Sequence, residues 1–308
     1  MLSVGCNDVA KALDAGTAVV ALETAVLTHG LPRPHNLEAM QLMQGAVRAA
    51  GATPAIIAVH RGRLVVGLRD DHLEEIAEDE SAVKAGARDL AAVCAQGRNA
   101  GTTVSGTLAA CQLAGISVFA TGGIGGVHRG WSQHRDISAD LREMANTPCC
   151  VVSAGAKSVL DLPATLEALE TLSVPVLGLG VDNFPQFHSL GNNSLKVSHR
   201  VESIREAARI CLHHWDTLGR EGGILLANPV AQEHAFDYQE IERHVEDAVT
   251  DAIQRDVRGQ ELTPFLLDYL AKATANRSIE TNIALLTSNA QVAGNLAVEL
   301  HQLLGTNQ

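Results

Sequence analysis

Short apolar runs alternate with helical segments along this chain, and this alternation restricts the fold more than any other feature. The runs lie at 17–22, 54–59, 116–120, 149–153, 174–181 and 223–228. A short run that is apolar at nearly every position is typical of a strand buried on both faces of a sheet. Strands that alternate with helices predict an α/β fold, in which helices cover both sides of a mixed or parallel sheet.

The C-terminal half has a different pattern. From Gln232 onward the chain is nearly all helical, with predicted helices over 239–255, 264–274 and 278–304. No internal repeat, low-complexity tract or linker interrupts the 308 residues. A chain of this length can bury one large core. We therefore expect a single domain over 1–308 with a helix-rich C-terminal half.

Composition narrows the class of partner. The net charge of −12 argues against general binding to nucleic acids or anionic membranes and favours a small-molecule partner. No segment approaches the roughly 20 apolar residues of a membrane span, and the N-terminus lacks a signal-peptide pattern. The six cysteines show no metal-binding spacing, so we expect free thiols in a reducing cytoplasm.

The stretch Thr121–Asp140 carries the densest set of chemically useful residues. Its glycines follow an apolar run and would let the backbone approach a ligand closely. Ser138 is a predicted N-cap, which places Asp136 in a loop and Asp140 in the first helical turn. The two carboxylates are candidate ligands for a hard metal ion. A tight turn with solvated charges and helix-capping aspartates is the alternative interpretation.

Two further ionisable residues follow predicted strands. Glu23 ends the run at 17–22, and Lys157 follows the run at 149–153 among alanine and glycine. The strand-end position favours catalysis, although a capping carboxylate and a surface lysine are equally consistent with the sequence. Lysine is rare here, with five lysines against eighteen arginines. Lys84, after an acidic segment, is expected to be an ordinary exposed lysine on sequence alone.

Other common catalytic patterns are missing from the sequence. His128 stands where a dinucleotide-binding GxGxxG motif would need glycine, and no P-loop, GxSxG or HExxH motif occurs. The amides near 102–105 begin a predicted helix and form a candidate anion site. Asn282 and Asn289 share one face of the last helix, so at least one is expected to face a ligand or a buried backbone group.

Several longer motifs, taken together, resemble the pseudouridine-5′-phosphate glycosidase family over roughly Val19 to Ala297. They are ALET, THGLPRPHN, ATGGIGGVHRG, DISADL, SAGAKSVLDL, ANP, TPFLL and NIALL, in chain order. The resemblance implies a three-layer α/β/α fold, a homotrimer and a divalent metal, usually Mn²⁺. It also implies reversible cleavage of the C–C bond between uracil and ribose 5-phosphate in pseudouridine catabolism. Such an enzyme is also called a pseudouridylate synthase and is classed as a carbon–oxygen lyase of the hydro-lyase type.

The resemblance also implies roles for individual residues. Glu23 would protonate the ribose ring oxygen, Lys157 would form an imine with the opened sugar, and Asp136 would bind the metal. Arginine cannot form such an imine, which gives a reason for lysine at 157. Residues implied to contact the substrate are Lys84, Val104, His128, Ser138, Ala139, Asp140 and Asn289.

Five residues depart from the family pattern as the resemblance implies it. They are Ala25, Trp131, Ser132, His134 and Ser288. None of them falls on Glu23, Asp136 or Lys157. They affect which aglycone would bind, because Trp131 could stack on a ring larger than uracil. A C-glycosynthase that joins ribose 5-phosphate to another aromatic aglycone is therefore one alternative. A non-catalytic sugar-phosphate-binding module is an alternative of another class.

Overall fold

The computed structural model describes residues 2–257, 259 and 262–306, with the backbone alone for 133, 134 and 306. One eleven-stranded sheet runs through it. Its strands are β1 Leu2–Val4, β2 Val19–Leu22, β3 Thr53–His60, β4 Arg63–Val66, β5 Val83–Ala85, β6 Ala100–Thr102, β7 Val118–Ala120, β8 Cys150–Ser153, β9 Val176–Leu179, β10 His199–Val201 and β11 Ile224–Ala227.

The sheet is mixed, as the sequence predicts. Its main order is β1-β4-β3-β2-β7-β8-β11-β9-β10, while β6 pairs with β3 and β5 pairs with β6. Strand β3 runs antiparallel to β4 and to β6, and the other pairs are parallel. The antiparallel β3–β4 pair is a hairpin whose turn is formed by Arg61 and Gly62.

Twelve α-helices lie in the described part of the chain. They are α1 Asn7–Asp14, α2 His35–Ala49, α3 Asp70–Glu78, α4 Leu90–Ala95, α5 Val104–Ala114, α6 Trp131–His134, α7 Ala139–Asn146, α8 Leu162–Thr171, α9 Ile204–Leu212, α10 Tyr238–Gln254, α11 Leu262–Ala273 and α12 Arg277–Thr306. Two short π-helical turns lie at Val26–Gly30 and His213–Thr217. None of the helices in these residues is both long and apolar enough to cross a membrane.

The sheet separates two apolar layers. Along β2, Val19 and Ala21 pack into one layer, whereas Val20 and Leu22 pack into the other. Helices α5, α7, α8 and α10 cover the first face, and α2, α9 and α12 cover the second. A parallel strand buried on both faces explains why these runs lack polar alternation. The three-layer α/β/α fold and the helix-rich C-terminal half are confirmed.

Some local expectations were wrong. Strands β5 and β6 lie in segments where no strand was expected, because each is short and paired far along the chain. The sequence predicts Asn36 as the N-cap of a helix over 37–50, but Asn36 lies inside the first turn of α2, and its side-chain amide donates to the Leu27 carbonyl at 2.8 Å. By contrast, the Ser138 hydroxyl accepts from the Asp140 amide at the start of α7, as expected of an N-cap.

The topology brings the predicted site residues to one edge. Strands β2, β7, β8 and β11 are parallel neighbours, so their carboxyl ends meet at the same edge of the sheet. Glu23, Thr121 and Asn228 directly follow β2, β7 and β11, and Lys157 lies four residues after β8. Ligands of open α/β sheets bind at this edge.

Candidate active site

A cleft with two adjoining lobes lies at the carboxyl edge of the sheet. The polar lobe has a volume of about 1050 Å³ and is open to solvent, and the apolar lobe has about 480 Å³. Both lobes are lined by Glu23, Ala25, Lys84, Lys157 and Thr263. We call these five residues the junction. Every site residue predicted from the sequence lines the cleft except Asn289.

Glu23 is the acid of the junction. Its side chain is only 5% exposed, and the Thr121 hydroxyl donates a hydrogen bond to Oε1. Burial raises the pKa of Glu23 above the ordinary glutamate value, and this effect outweighs the opposing charge of Lys157 and the Thr121 hydrogen bond. The carboxyl therefore keeps its proton to a higher pH than an exposed glutamate does, as a general acid requires.

Lys157 reaches the junction from the turn after β8. Its backbone amide donates to the Ile124 carbonyl at 3.1 Å, which ties the turn to the glycine-rich loop. Gly155 adopts φ +78°, a left-handed conformation in which a side chain would be strained. Ser158, which directly follows Lys157, forms a hydrogen bond of 3.0 Å with Nδ1 of the buried His188. These contacts fix the backbone on both sides of the lysine.

Lys84 lies on β5, opposite Gly101 of β6, and not on the exposed surface expected from sequence alone. Burial and the neighbouring Lys157 charge lower the pKa of Lys84 to about 8, against the opposing effects of Asp140 and Glu23. A lysine on such a short strand, between two polar segments, gives no sequence signal of burial. The structure therefore places two amines beside the acid.

Asp140 connects two segments of the polar lobe through hydrogen bonds. Its side chain is 5% exposed, Oδ1 accepts from the Ser105 amide at 2.9 Å, and Oδ2 accepts from the Gly125 amide at 2.9 Å. The carboxylate thus joins the start of α5 to the glycine-rich loop. A Cβ atom at Gly125 would lie 2.6 Å from Oδ2, so only glycine allows this approach.

Asp136 differs from Asp140 although both line the polar lobe. Its carboxylate accepts no hydrogen bond from any described residue. Its charge opposes the lowering of the His128 pKa, which is caused first by burial and further by Lys157 and Lys84. The described residues contain no group of three or more His, Cys, Asp or Glu side chains that could enclose a metal. A single free carboxylate fits a hard divalent ion that keeps water and substrate oxygens as its other ligands.

The remaining polar-lobe residues surround the start of α5. Val104 and Ser105 begin this helix, and Ser138 and Ala139 begin α7 on the other side of the lobe. Arg88, which sequence reasoning did not select, adds a largely exposed guanidinium at the rim. A helix N-terminus beside lysine and arginine is suited to an anion such as a phosphate.

The two asparagines of α12 have different positions. Asn289 is fully buried behind the cleft wall, where its amide donates to the Thr121 carbonyl at 2.8 Å and its Oδ1 accepts from Asn228 at 2.9 Å. The base contact that the resemblance implies for Asn289 stays a prediction. Asn282 lines the apolar lobe with only 7% exposure, and its side-chain amide has no hydrogen bond to the described residues.

The positions that depart from the family pattern are distributed unevenly around the cleft. Ala25 lies at the junction and lines both lobes. Trp131 packs partly against the core, with the Arg135 guanidinium 5.5 Å from its ring centroid, and it lines neither lobe among the described residues. The Ser288 hydroxyl accepts from Asn228 at 3.0 Å. The side chain of His134 lies outside the described residues.

Comparison with known proteins identifies the family. The sequence profile described as "Indigoidine synthase A like protein" matches residues 8–299. The chain is 47% identical over 297 residues to the pseudouridine-5′-phosphate glycosidase of Caldanaerobacter subterraneus, with 96% of each chain covered. It is 46% identical over 293 residues to that of Myxococcus xanthus, with 95% and 96% covered.

A solved structure agrees with both the fold and the family. The crystal structure of prealnumycin C-glycosynthase in complex with ribulose 5-phosphate matches with a TM-score of 0.91 and 36% identity over 99% of each chain. The resemblance predicted from the motifs is therefore confirmed: the chain belongs to the indigoidine synthase A-like family, the enzyme family of the pseudouridine-5′-phosphate glycosidases.

Proposed function

We propose that this protein reversibly cleaves pseudouridine 5′-phosphate to uracil and ribose 5-phosphate. The observation that carries the proposal is the junction, where a buried acid with a raised pKa faces two lysine amines. The relatives that share 46–47% identity are named for this reaction. A C-glycosidic bond has no heteroatom leaving group, so a pair of carboxylates alone is insufficient and an imine gives the missing electron sink.

The proposed steps begin with the ring. Glu23 donates its proton to the ribose ring oxygen as the C1′–O bond breaks, and the Lys157 amine forms a bond to C1′ and loses a proton to water of the cleft. C5 of uracil then takes up a proton, the nitrogen lone pair forms a protonated imine, and the C1′–C5 electron pair leaves with uracil. Water adds to the imine carbon and releases ribose 5-phosphate and the free lysine.

We propose that Asp136 holds a divalent ion, which we expect to be Mn²⁺. Its carboxylate faces the polar lobe and accepts no hydrogen bond from the described residues, as expected of an oxygen reserved for a metal. When bound, such an ion would neutralise and orient the phosphate. Lys84, Arg88, His128 and the start of α5 would bind the phosphate and sugar from the other sides, and Ser138–Asp140 would orient the sugar.

The apolar lobe is proposed to bind the base. Val26, Phe187, Leu267 and Leu286 give it an apolar wall that suits a flat ring. The Asn282 amide has unused donor and acceptor atoms there, which are complementary to the imide edge of uracil. A buried amide with no other partner would discriminate strongly against rings that cannot pair with it.

Reductive trapping tests the imine. Borohydride with ribose 5-phosphate should add one sugar phosphate to the intact protein, and peptide mapping should find it on Lys157. The K157A variant should gain no mass, whereas K272A, which changes an exposed lysine paired with Asp268, should react as the wild type does. Wild type that binds the sugar phosphate without gaining mass would support the non-catalytic binding module instead.

A second experiment tests the aglycone. Incubation with ribose 5-phosphate, Mn²⁺ and uracil should give pseudouridine 5′-phosphate, and removal of the metal with a chelator should abolish the product. The second candidate function is a synthase that joins ribose 5-phosphate to another aromatic aglycone. It is favoured by Ala25 at the junction and by the structural similarity to prealnumycin C-glycosynthase. An imine-competent protein that makes no pseudouridine 5′-phosphate would support this candidate.

The family resemblance also carries proposals for the oligomeric state and the cellular location of the protein. We propose a homotrimer, which light scattering should detect at three times the 32.4 kDa chain mass. All six cysteines are free thiols in the structure, which is consistent with a reducing cytoplasm. Cell fractionation should find the protein there, and recovery in an oxidising compartment would contradict the proposal.

A further inference from the structure

His29 is a residue of the apolar lobe to which the reaction proposed above gives no role. It lies in the π-helical turn Val26–Gly30, which begins three residues after Glu23. Its half-buried ring lines the apolar lobe beside Gly30 and Asn282. π-helical turns of this kind frequently lie at functional sites.

The hydrogen bonds of His29 indicate its tautomer. Nδ1 lies 2.7 Å from the Thr28 hydroxyl oxygen. That hydroxyl donates its only hydrogen to the Thr24 carbonyl, one helical turn back, at 3.3 Å. The Thr28 oxygen therefore accepts, Nδ1 carries the ring hydrogen, and Nε2 holds a lone pair.

The Nε2 atom is available to a ligand. No described residue hydrogen-bonds it, and it is not among the fully buried unpaired atoms, so it is accessible. The ring lines the apolar lobe and also a neighbouring pocket beside Pro32 and His188. The charged groups that line the same lobe are Lys84, Glu23 and Lys157. Burial lowers the pKa of His29 and the Lys84 charge lowers it further, and both effects favour the neutral ring.

We propose that His29 is a proton acceptor for the departing base, with Nε2 hydrogen-bonded to N1–H of the uracil ring. The proposal rests on the proposed function and adds a third catalytic group to it. N1 is the ring nitrogen conjugated through C6 to C5, the carbon that is bonded to the sugar. An acceptor at N1 therefore makes C5 more basic in cleavage and more nucleophilic in synthesis.

The proton transfers balance as follows. In the Lys157 adduct, C5 takes up, through water of the cleft, the proton that the lysine nitrogen released on adding to C1′, while Nε2 takes the N1 proton. These two transfers leave a C6=N1 double bond. The lysine nitrogen then forms the imine as the C1′–C5 bond breaks. The electron pair of the broken C1′–C5 bond forms the C5=C6 double bond. The π electrons of the C6=N1 bond move to N1, and N1 takes its proton back from Nε2. His29 ends in its starting state, and the net transfer is one proton from the lysine nitrogen to C5.

The H29Q variant tests this role because glutamine fills a similar space but cannot carry the proton. We expect kcat for pseudouridine 5′-phosphate to fall about 100-fold, the lower range for a general base. Borohydride trapping of ribose 5-phosphate on Lys157 should stay at the wild-type level, because that adduct contains no base. The matched control is H35Q, whose imidazole is exposed and paired with Glu38 on α2, and its kcat should not change.

A substrate analogue assigns the contact to N1. Wild type should process N1-methylpseudouridine 5′-phosphate about 100-fold more slowly than the parent compound, whereas H29Q should process both at similar rates. If H29Q keeps kcat within twofold, or discriminates against the N1-methyl compound as wild type does, the proposal is wrong. Loss of trapping in H29Q would show a structural role and overturn it too. Loss of trapping in wild type would instead refute the proposed function.

Discussion

Asp136 and Asp140 lie four residues apart and have the same side chain, yet replacing each with asparagine should affect stability very differently. Asp140 accepts two backbone hydrogen bonds in a buried position, from Ser105 and from Gly125. Asp136 accepts none from the described residues. The D140N and D136N variants therefore separate a structural carboxylate from one that is available to a ligand.

The magnitude follows from the geometry at Asp140. An asparagine has one acceptor oxygen, so it can satisfy only one of the two amides, and its NH₂ group faces the other. An unsatisfied buried amide costs about 1–3 kcal/mol, and exchanging a charged acceptor for a neutral one costs about 1 kcal/mol more. We expect D140N to lower the free energy of unfolding by roughly 2–4 kcal/mol, and D136N to change it by less than about 0.5 kcal/mol.

Urea unfolding at one fixed protein concentration and pH gives both values. If the chain is the single domain that we propose, wild type should unfold in one transition. D136N should keep wild-type stability while losing its response to Mn²⁺ in turnover. A D140N variant within 0.5 kcal/mol of D136N would refute the assignment of Asp140 as the structural carboxylate.

Three further predictions concern residues of the cleft and its wall. E23Q should abolish turnover and stabilise the fold. Because the carboxyl pKa is raised in the folded state, the wild type loses stability as pH rises from the ordinary glutamate range through the folded pKa. The difference in unfolding free energy between E23Q and wild type should therefore grow with pH in urea titrations. The kcat/KM of the wild type should fall above pH 8 as Lys84 loses its proton. K84R, which stays charged, should shift this decline to higher pH. If K84R has the same pH profile as the wild type, Lys84 is not the cation that binds the phosphate. N289A should cost about 1–3 kcal/mol in unfolding free energy because it leaves buried partners unpaired, whereas N282A should barely change stability and should raise KM for pseudouridine 5′-phosphate.

The sequence predicts the sheet, its layers and the acid of the site because these depend on short-range patterns. Strands buried on both faces are apolar throughout, and a charged residue directly after such a strand must lie at the edge of the sheet. Glu23 could therefore be located without the structure. The serine N-cap at 138 is a similarly local signal, and the structure confirms it.

Other features depend on contacts between distant segments. Lys84 is half-buried only because β5 pairs with β6, which pairs with β3. The face shared by Asn282 and Asn289 predicts that one of them binds backbone, but the choice depends on where the Thr121 carbonyl lies. The sequence likewise gives no sign that Trp131 pairs with Arg135 and lines neither lobe.

The division of the cleft into two lobes has a consequence for how this fold acquires new substrates. The polar lobe is built from backbone amides, from Asp140 and from a glycine at 125 that admits no side chain, so most substitutions there would disturb the fold itself. The apolar lobe is walled mainly by side chains of α11, α12 and the π-helical turn. Side chains on those elements can change while the sugar-phosphate chemistry is preserved. Diversification towards other aromatic partners should therefore proceed through wall residues on these elements, and laboratory evolution should begin at Val26, the first residue of the π-helical turn and part of the apolar wall.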